Sequence, residues 1–248
     1  MHGTLRPLRK AERIMVVSDN HGELADTGAC RAALAFAKHF KPTLRLHLGD
    51  CWDFRWLRKS AGEDERRAGS GDDVASGLDF IDQYRPTHFL NGNHELRIHR
   101  AMESTNARVS ELASFLWGQI AAHLDGVKVY PYCKRKGILR IGDHAFLHGY
   151  SSGMYAVKKT GMAYGNAVMG HLHRPESIPI ERLEGPTAHC VGCLAQLDLD
   201  YNLSQQATLA QAHGFMYGFL HRGKVLLMQA RKFGGEWVFP TEMMTYGR

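Results

Sequence analysis

Seven residues able to ligate a metal, Asp19, His21, Asp50, Asn93, His148, His171 and His173, sit in five short pieces of the chain. The pieces read Asp19-Asn20-His21, Gly49-Asp50-Cys51-Trp52-Asp53, Gly92-Asn93-His94-Glu95, His148-Gly149 and Gly170-His171-Leu172-His173, and each closes an apolar run. Asp19 and His21 are two apart, as are His171 and His173, so in extended backbone each pair projects to one side and grips one metal or two neighbouring ones. Carboxylate, amide oxygen and imidazole together form a mixed oxygen and nitrogen set that suits Mn, Fe, Zn or Ni without thiolate. That chemistry favours hydrolysis over electron transfer. Two cations roughly 3.5–4 Å apart lower the pKa of a shared water and hold the attacking and leaving oxygens of a displacement at phosphorus, with one carboxylate between the ions.

Such a site needs strands that end where the ligands begin. Apolar runs at 13–18, 44–48 and 87–90 read as strands leading into the first three pieces, and 29–40 as a helix between them. Residues 58–73, rich in Lys, Arg, Asp, Glu and Gly, read as an exposed loop or short helix, and Val74, Leu78 and Ile81 give helical spacing over 74–84. Val109, Leu112, Leu116, Ile120 and Leu124 mark an amphipathic helix. Strands follow at 127–130, 138–141, 145–147 and 167–169, then a hairpin of 215–220 and 224–230 around Arg222-Gly223. There is no internal repeat or low-complexity tract.

In this order the five pieces resemble the signature of the calcineurin-like metallophosphoesterases, D-x-H, G-D-x-x-D, G-N-H-E/D, H and G-H-x-H, from Asp19 to His173. The resemblance implies an α/β fold in which two mixed β-sheets pack as a sandwich flanked by helices, and two divalent metal ions, manganese foremost. Asp19, His21, Asp50 and His173 would hold one ion, and Asp50, Asn93, His148 and His171 the other, with Asp50 as the bridge. At the position of His94 the family has a general acid or transition-state stabiliser, a role an imidazole fits near neutral pH. Asp53 would accept a hydrogen bond from His94 and fix its tautomer, or else serve the backbone at a helix start.

Length and composition bound the rest. A chain of 248 residues with 44% hydrophobic and 23% charged residues is expected to form one domain spanning 1–248. No apolar stretch is long enough to span a bilayer, and Arg6, Arg9, Lys10 and Arg13 break up any N-terminal apolar core, so a soluble, cytoplasmic protein is expected. The five scattered cysteines suit reduced thiols. Cys190-Val191-Gly192-Cys193 lacks the second ligand pair of a structural zinc site and reads as buried thiols. The ten histidines outside the motifs read as surface or structural, with His213 the most tempting exception.

Substrate is read from charge and departures. A formal net charge of +6 suits either an anionic partner or a solubilising surface. Trp52, Arg55 and their neighbours either stack bases and contact phosphate or pack around a helix start. Arg97, three residues beyond His94, either grips a phosphate or forms a surface ion pair. Protein Ser/Thr phosphatases of the superfamily carry G-D-x-x-D-R-G, whereas Phe54 and Arg55 follow Asp53 here. Only 75 residues follow His173, too few for the capping domain of Mre11-type nucleases beside the late strands. Three readings result: a phosphodiesterase or nuclease acting on DNA, RNA or nucleotide diesters through water activated between the metals; a hydrolase of small phosphomonoesters or nucleotide anhydrides; and a non-catalytic binding module on the same scaffold.

Overall fold

A computed structural model of the chain describes residues 11–58, 62, 69–197 and 206–239. The first strand, β1 (Glu12–Val17), is inaccessible from Ile14 onward on both of its faces. A strand covered on both faces lies inside a layered α/β structure. Parallel to it run β2 (Leu44–His47), then β3 (His88–Leu90) and β4 (Lys128–Tyr130). On its other edge β10 (Gly214–His221), β11 (Lys224–Phe233) and β12 (Glu236–Val238) follow antiparallel, giving the order β12-β11-β10-β1-β2-β3-β4.

The second sheet contains β5 (Leu139–Ile141), β6 (His144–Leu147), β7 (Ala167–Met169), β8 (Pro175–Pro179) and β9 (Thr187–Val191), in the order β5-β6-β7-β9-β8. Strands β6, β7 and β9 are parallel, and β5 and β8 close the edges antiparallel. Leu139, Phe146, Val168 and Val191 of this sheet share one apolar cluster with Ile14, Val16, Phe215 and Tyr217 of the first. The two mixed sheets therefore pack as a sandwich around a common core.

Helices cover the outside. Helix α1 (Thr27–Phe40) starts at Asp26, whose carboxylate accepts from the Ala29 amide at 2.7 Å, and it buries Phe36 and Phe40 against β10. Helices α2 (Ser70–Tyr84), α3 (Glu95–Met102) and α4 (Ala107–His123) enclose a second cluster of Trp52, Phe54, Phe89, Ile98, Leu116 and Ile120. Helix α5 (Ala156–Tyr164) lies on the second sheet, where Gly161 lets its backbone approach Ile180 and Ala188.

Three expectations change. Helix α2 begins at Ser70 rather than 74, with Asp72 and Asp73 in its first turn, so it takes in the end of the 58–73 stretch expected as an exposed loop or short helix; residues 59–61 and 63–68 of that stretch lie outside those described. Helices α3 and α5 were not expected. The first buries only Glu95, Ile98 and Ala101 and is too short to show a period, and the second carries Thr160 and Gly161, which are weak helix formers. Strands β8 and β9 were also unexpected, β8 because prolines stand at both its ends, which an edge strand tolerates. No helix among the described residues is long and apolar enough to cross a membrane.

Candidate metal centre

All five motif pieces follow the C-terminal ends of strands within parallel pairs, and both sheets point those ends at one place. Asp19 and His21 follow β1, Asp50 follows β2, Asn93 and His94 follow β3, His148 follows β6, and His171 and His173 follow β7. Outside the carboxyl ends of parallel strands is where open α/β sheets place their sites.

The backbone there is not extended. Asp19, His21, Asp50, His171 and His173 all have positive φ, between 51° and 72°. The expectation that each spaced pair projects from an extended strand is therefore corrected: these five candidate side chains converge because the chain turns left-handed at each of them. For residues other than glycine that conformation costs of order 1–3 kcal/mol and persists only where the surroundings over-determine it. The surroundings here include backbone amides of Asp19, His21 and Gly22 donating to carbonyls of Gly49, Asp50 and Cys51 at 2.7–3.0 Å.

Three groups of side chains each bring their ligand atoms within 4.8 Å of one another: Asp19, His21 and His173; His21, Asp50 and His94; Asp50, His148 and His171. Asp50 belongs to two of them. Its Oδ2 lies 3.2 Å from His148 Nε2 and 4.0 Å from His21 Nε2. The Asn93 amide oxygen lies 3.0 Å from His148 Nε2. His21 and His173 face each other through Nε2 at 2.9 Å, and His173 Nε2 is 3.4 Å from Asp19 Oδ1.

Ring orientations are set from behind. His148 Nδ1 donates to the Leu48 carbonyl at 2.8 Å, and His21 Nδ1 donates to Asp53 Oδ2 at 2.9 Å, so both turn Nε2 inward. Burial alone raises the Asp50 and Asp19 carboxyls, but neighbouring imidazoles outweigh it; Asp50 falls well below the usual range and Asp19 to about 2. His148 is buried, which lowers an imidazole, yet Asp50 and Asp19 raise it to about 9. Opposed imidazole nitrogens and ionised carboxylates, all buried, fit divalent cations that replace protons among them.

The carboxylate of Asp53 sits beside both His21 and His94, with His94 Nδ1 at 3.4 Å. The shorter partner of that nitrogen is the Asp53 backbone carbonyl, at 2.8 Å. With Nδ1–H held there, His94 Nε2 faces the site and accepts from Arg97 at 3.0 Å. Burial, with His21 and Arg97, pushes His94 down to about 3 against the pull of Asp50 and Asp53. Arg97 also donates to the Asp53 carbonyl at 2.8 Å. Trp52 is fully buried and donates its indole N–H to Val74, so its ring offers no face to a substrate; the packing alternative describes it. Arg55 pairs with Glu23 at 2.8 Å. His213 donates to the Ala195 carbonyl at 3.0 Å, and all five cysteines are free, with Cys190 and Cys193 buried.

Sequence reasoning missed the groups that fix the loops. Glu95, fully buried at the start of α3, accepts backbone amides from Gly92 at 2.6 Å, Cys51 at 2.8 Å, Asp50 at 2.9 Å and Trp52 at 3.4 Å. It joins the β2 and β3 loops through one carboxylate. The signal was present, because a Glu reaching back to the amide three residues earlier follows the capping-box pattern. Asp73 of α2 does the same for the Asp53 and Phe54 amides at 3.0 and 2.8 Å, and burial pushes its carboxyl up to about 6. Behind them, neutral His47 donates Nε2–H to Asn20 Oδ1 at 2.8 Å and accepts the Gly49 amide, with burial pushing it down to about 3.

The chain matches no protein-family model and no curated protein. Its fold is similar to solved structures that include a metallophosphoesterase from Sphaerobacter thermophilus, at 17% identity over 89% of this chain and 88% of that one with a TM-score of 0.47. It is also similar to the phosphoesterase Yfce from E. coli, at 14% identity over 88% and 97% with a TM-score of 0.43. A third is zinc-complexed Vps29 from Entamoeba histolytica, at 11% identity over 91% and 96% with a TM-score of 0.46. Metallophosphoesterases, the superfamily its motifs resemble, are thus among the structures this chain is similar to.

Proposed function

We propose that this protein is a dinuclear-metal phosphoester hydrolase acting on phosphodiesters of nucleic acids or nucleotides. The observation that carries the reading is Asp50, which is grouped with His148 and His171 on one side and with His21 on the other, while His21 is itself grouped with Asp19 and His173. In this proposal Asp19, His21, Asp50 and His173 hold one ion and Asp50, Asn93, His148 and His171 the other, with manganese as the first choice. When bound, such ions polarise water and neutralise charge on a phosphoryl group.

The chain's own residues do the remaining work. Asp53 orients His21 through Nδ1, and the Leu48 carbonyl orients His148, so the ring nitrogens are aimed before any ion arrives. His94, its Nδ1 proton tied to the Asp53 carbonyl, presents Nε2 to the site. Substrate phosphate draws the Arg97 guanidinium away from that nitrogen and adds negative charge beside it. Both changes favour a proton on Nε2, which is then delivered to the leaving oxygen.

The choice between diester and monoester rests on rates with matched chromogenic substrates and manganese-loaded protein, with chelated protein as blank. A metal-dependent preference for the diester is the expected outcome; a preference for the monoester transfers the proposal to small phosphomonoesters or nucleotide anhydrides. Asp50→Asn lowers metal content and rate together. Full metal content with an undiminished rate in that variant overturns the shared-ligand reading.

A further inference from the structure

Beside the metal centre, among the described residues, lies a cleft of about 610 Å³ that neither the motifs nor the proposed chemistry explains. Its lining includes Asn93, a proposed ligand, and Tyr132, whose ring packs edge-on to His148 at 5.7 Å. Its walls carry three arginines, Arg58, Arg97 and Arg100, and no carboxylate among the described lining residues. Leu57, Leu96, Ala101 and Val109 supply apolar lining.

The cleft is continuous with the reaction zone through Arg97, which both lines it and donates to His94 Nε2. Asp53 takes only one edge of that guanidinium, at its NH1. The five donors of an arginine exceed those uses, leaving N–H groups for an anion. Arg100, one turn of α3 further on, is exposed and places a second cation on the same helix side. Apolar lining combined with guanidinium groups suits an organic ring linking two anions, with arginine favoured over lysine for gripping phosphate bidentately.

We infer that this cleft seats a second phosphate of the substrate, so the preferred substrate is a nucleotide unit carrying a phosphate besides the one at the metals. This rests on the phosphoester reading for its catalytic meaning, while the binding itself does not. A single phosphate at the metal centre leaves Arg100 unused. A bisphosphorylated nucleoside supplies a phosphate for each place.

The test is equilibrium binding to manganese-loaded protein of adenosine 3′,5′-bisphosphate against adenosine 5′-monophosphate, with hydrolysis of a chromogenic diester measured in parallel. The bisphosphate is expected to bind at least about tenfold more tightly, the scale of one good charge-assisted contact. Arg100→Glu, at an exposed position, and separately Arg58→Ala are expected to shrink that ratio toward one. A 5′-phosphorylated thymidine dinucleotide showing the same ratio over its unphosphorylated form extends the assignment from free nucleotides to strand ends. Equal affinity for bisphosphate and monophosphate, or a preference that survives Arg100→Glu, overturns the cleft assignment even if diesters are hydrolysed. A bisphosphate preference lost in Arg100→Glu, in a protein that hydrolyses nothing, upholds the cleft and overturns the hydrolase.

Discussion

Gly92 does not adopt the positive φ that favours glycine, yet it has no room for a methyl group. A Cβ there would fall 2.7 Å from the Asp50 amide nitrogen and 2.8 Å from His148 Cε1, with Asp50 Oδ1 nearer still. The amide cannot yield, because the β2 and β3 loops are already in backbone contact at Gly49 and are tied together by Glu95. The Asp50 carboxylate must therefore retreat by roughly 1 Å, a misplacement of the size that costs about 10²-fold in rate. Overpacking of this kind costs stability by about 1–3 kcal/mol, small beside the loss of function. Gly92→Ala is accordingly expected to stay folded, lose at least one metal ion on gel filtration, and hydrolyse the chromogenic diester about a hundredfold more slowly. Gly118→Ala is the matched control: it lies exposed within α4 with nothing near its Cβ position, and should add about 0.5–1 kcal/mol of stability without touching metal or rate. Metal content and rate measured on both variants decide the matter. A Gly92→Ala protein with two metals and a rate within threefold of the parent, an allowance of about 0.7 kcal/mol in the barrier, refutes the placement of Asp50 between them.

His94→Asn should retain its metals while the diester rate falls by about 10²–10⁴, the usual worth of acid catalysis; an unchanged rate removes His94 from the scheme. Glu95→Ala strands four buried amides and leaves a cavity, so urea titration of the chelated protein should show a loss of about 3 kcal/mol or more, and equal midpoints would contradict the clamp. For His148, burial lowers and Asp50 with Asp19 and Glu95 raise the pKa from 6.5 to about 9 in the absence of metal. The folded value exceeds the unfolded one, so this group's stabilisation of the metal-free protein is complete below pH 6.5 and is lost as pH rises toward about 9. Metal displaces that proton, so affinity should climb with pH across the same window by up to about tenfold per unit, as a metal titration at several pH values would register; a flat affinity argues against His148 as a ligand.

The residue types and their order singled out the seven candidate ligands, because the capacity to bind a metal belongs to single side chains and is legible locally. Apolar runs likewise placed β1, β2, β3 and α4 within a few residues, each long or buried enough to show its period. The short α3, the glycine-bearing α5 and the proline-ended β8 left no such trace, since packing rather than propensity makes them. Only the tertiary structure decided that five of the seven candidates turn inward from left-handed backbone, a conformation no spacing rule contains and one held by backbone hydrogen bonds between distant loops. It alone decided that Trp52 belongs to the core, that His94 is fixed by a carbonyl of Asp53 with the carboxylate further off, and that Glu95 and Asp73 bind the loops together. Each of those depends on which residues meet across tens of positions in the chain, and burial then sets how strongly their charges act on one another.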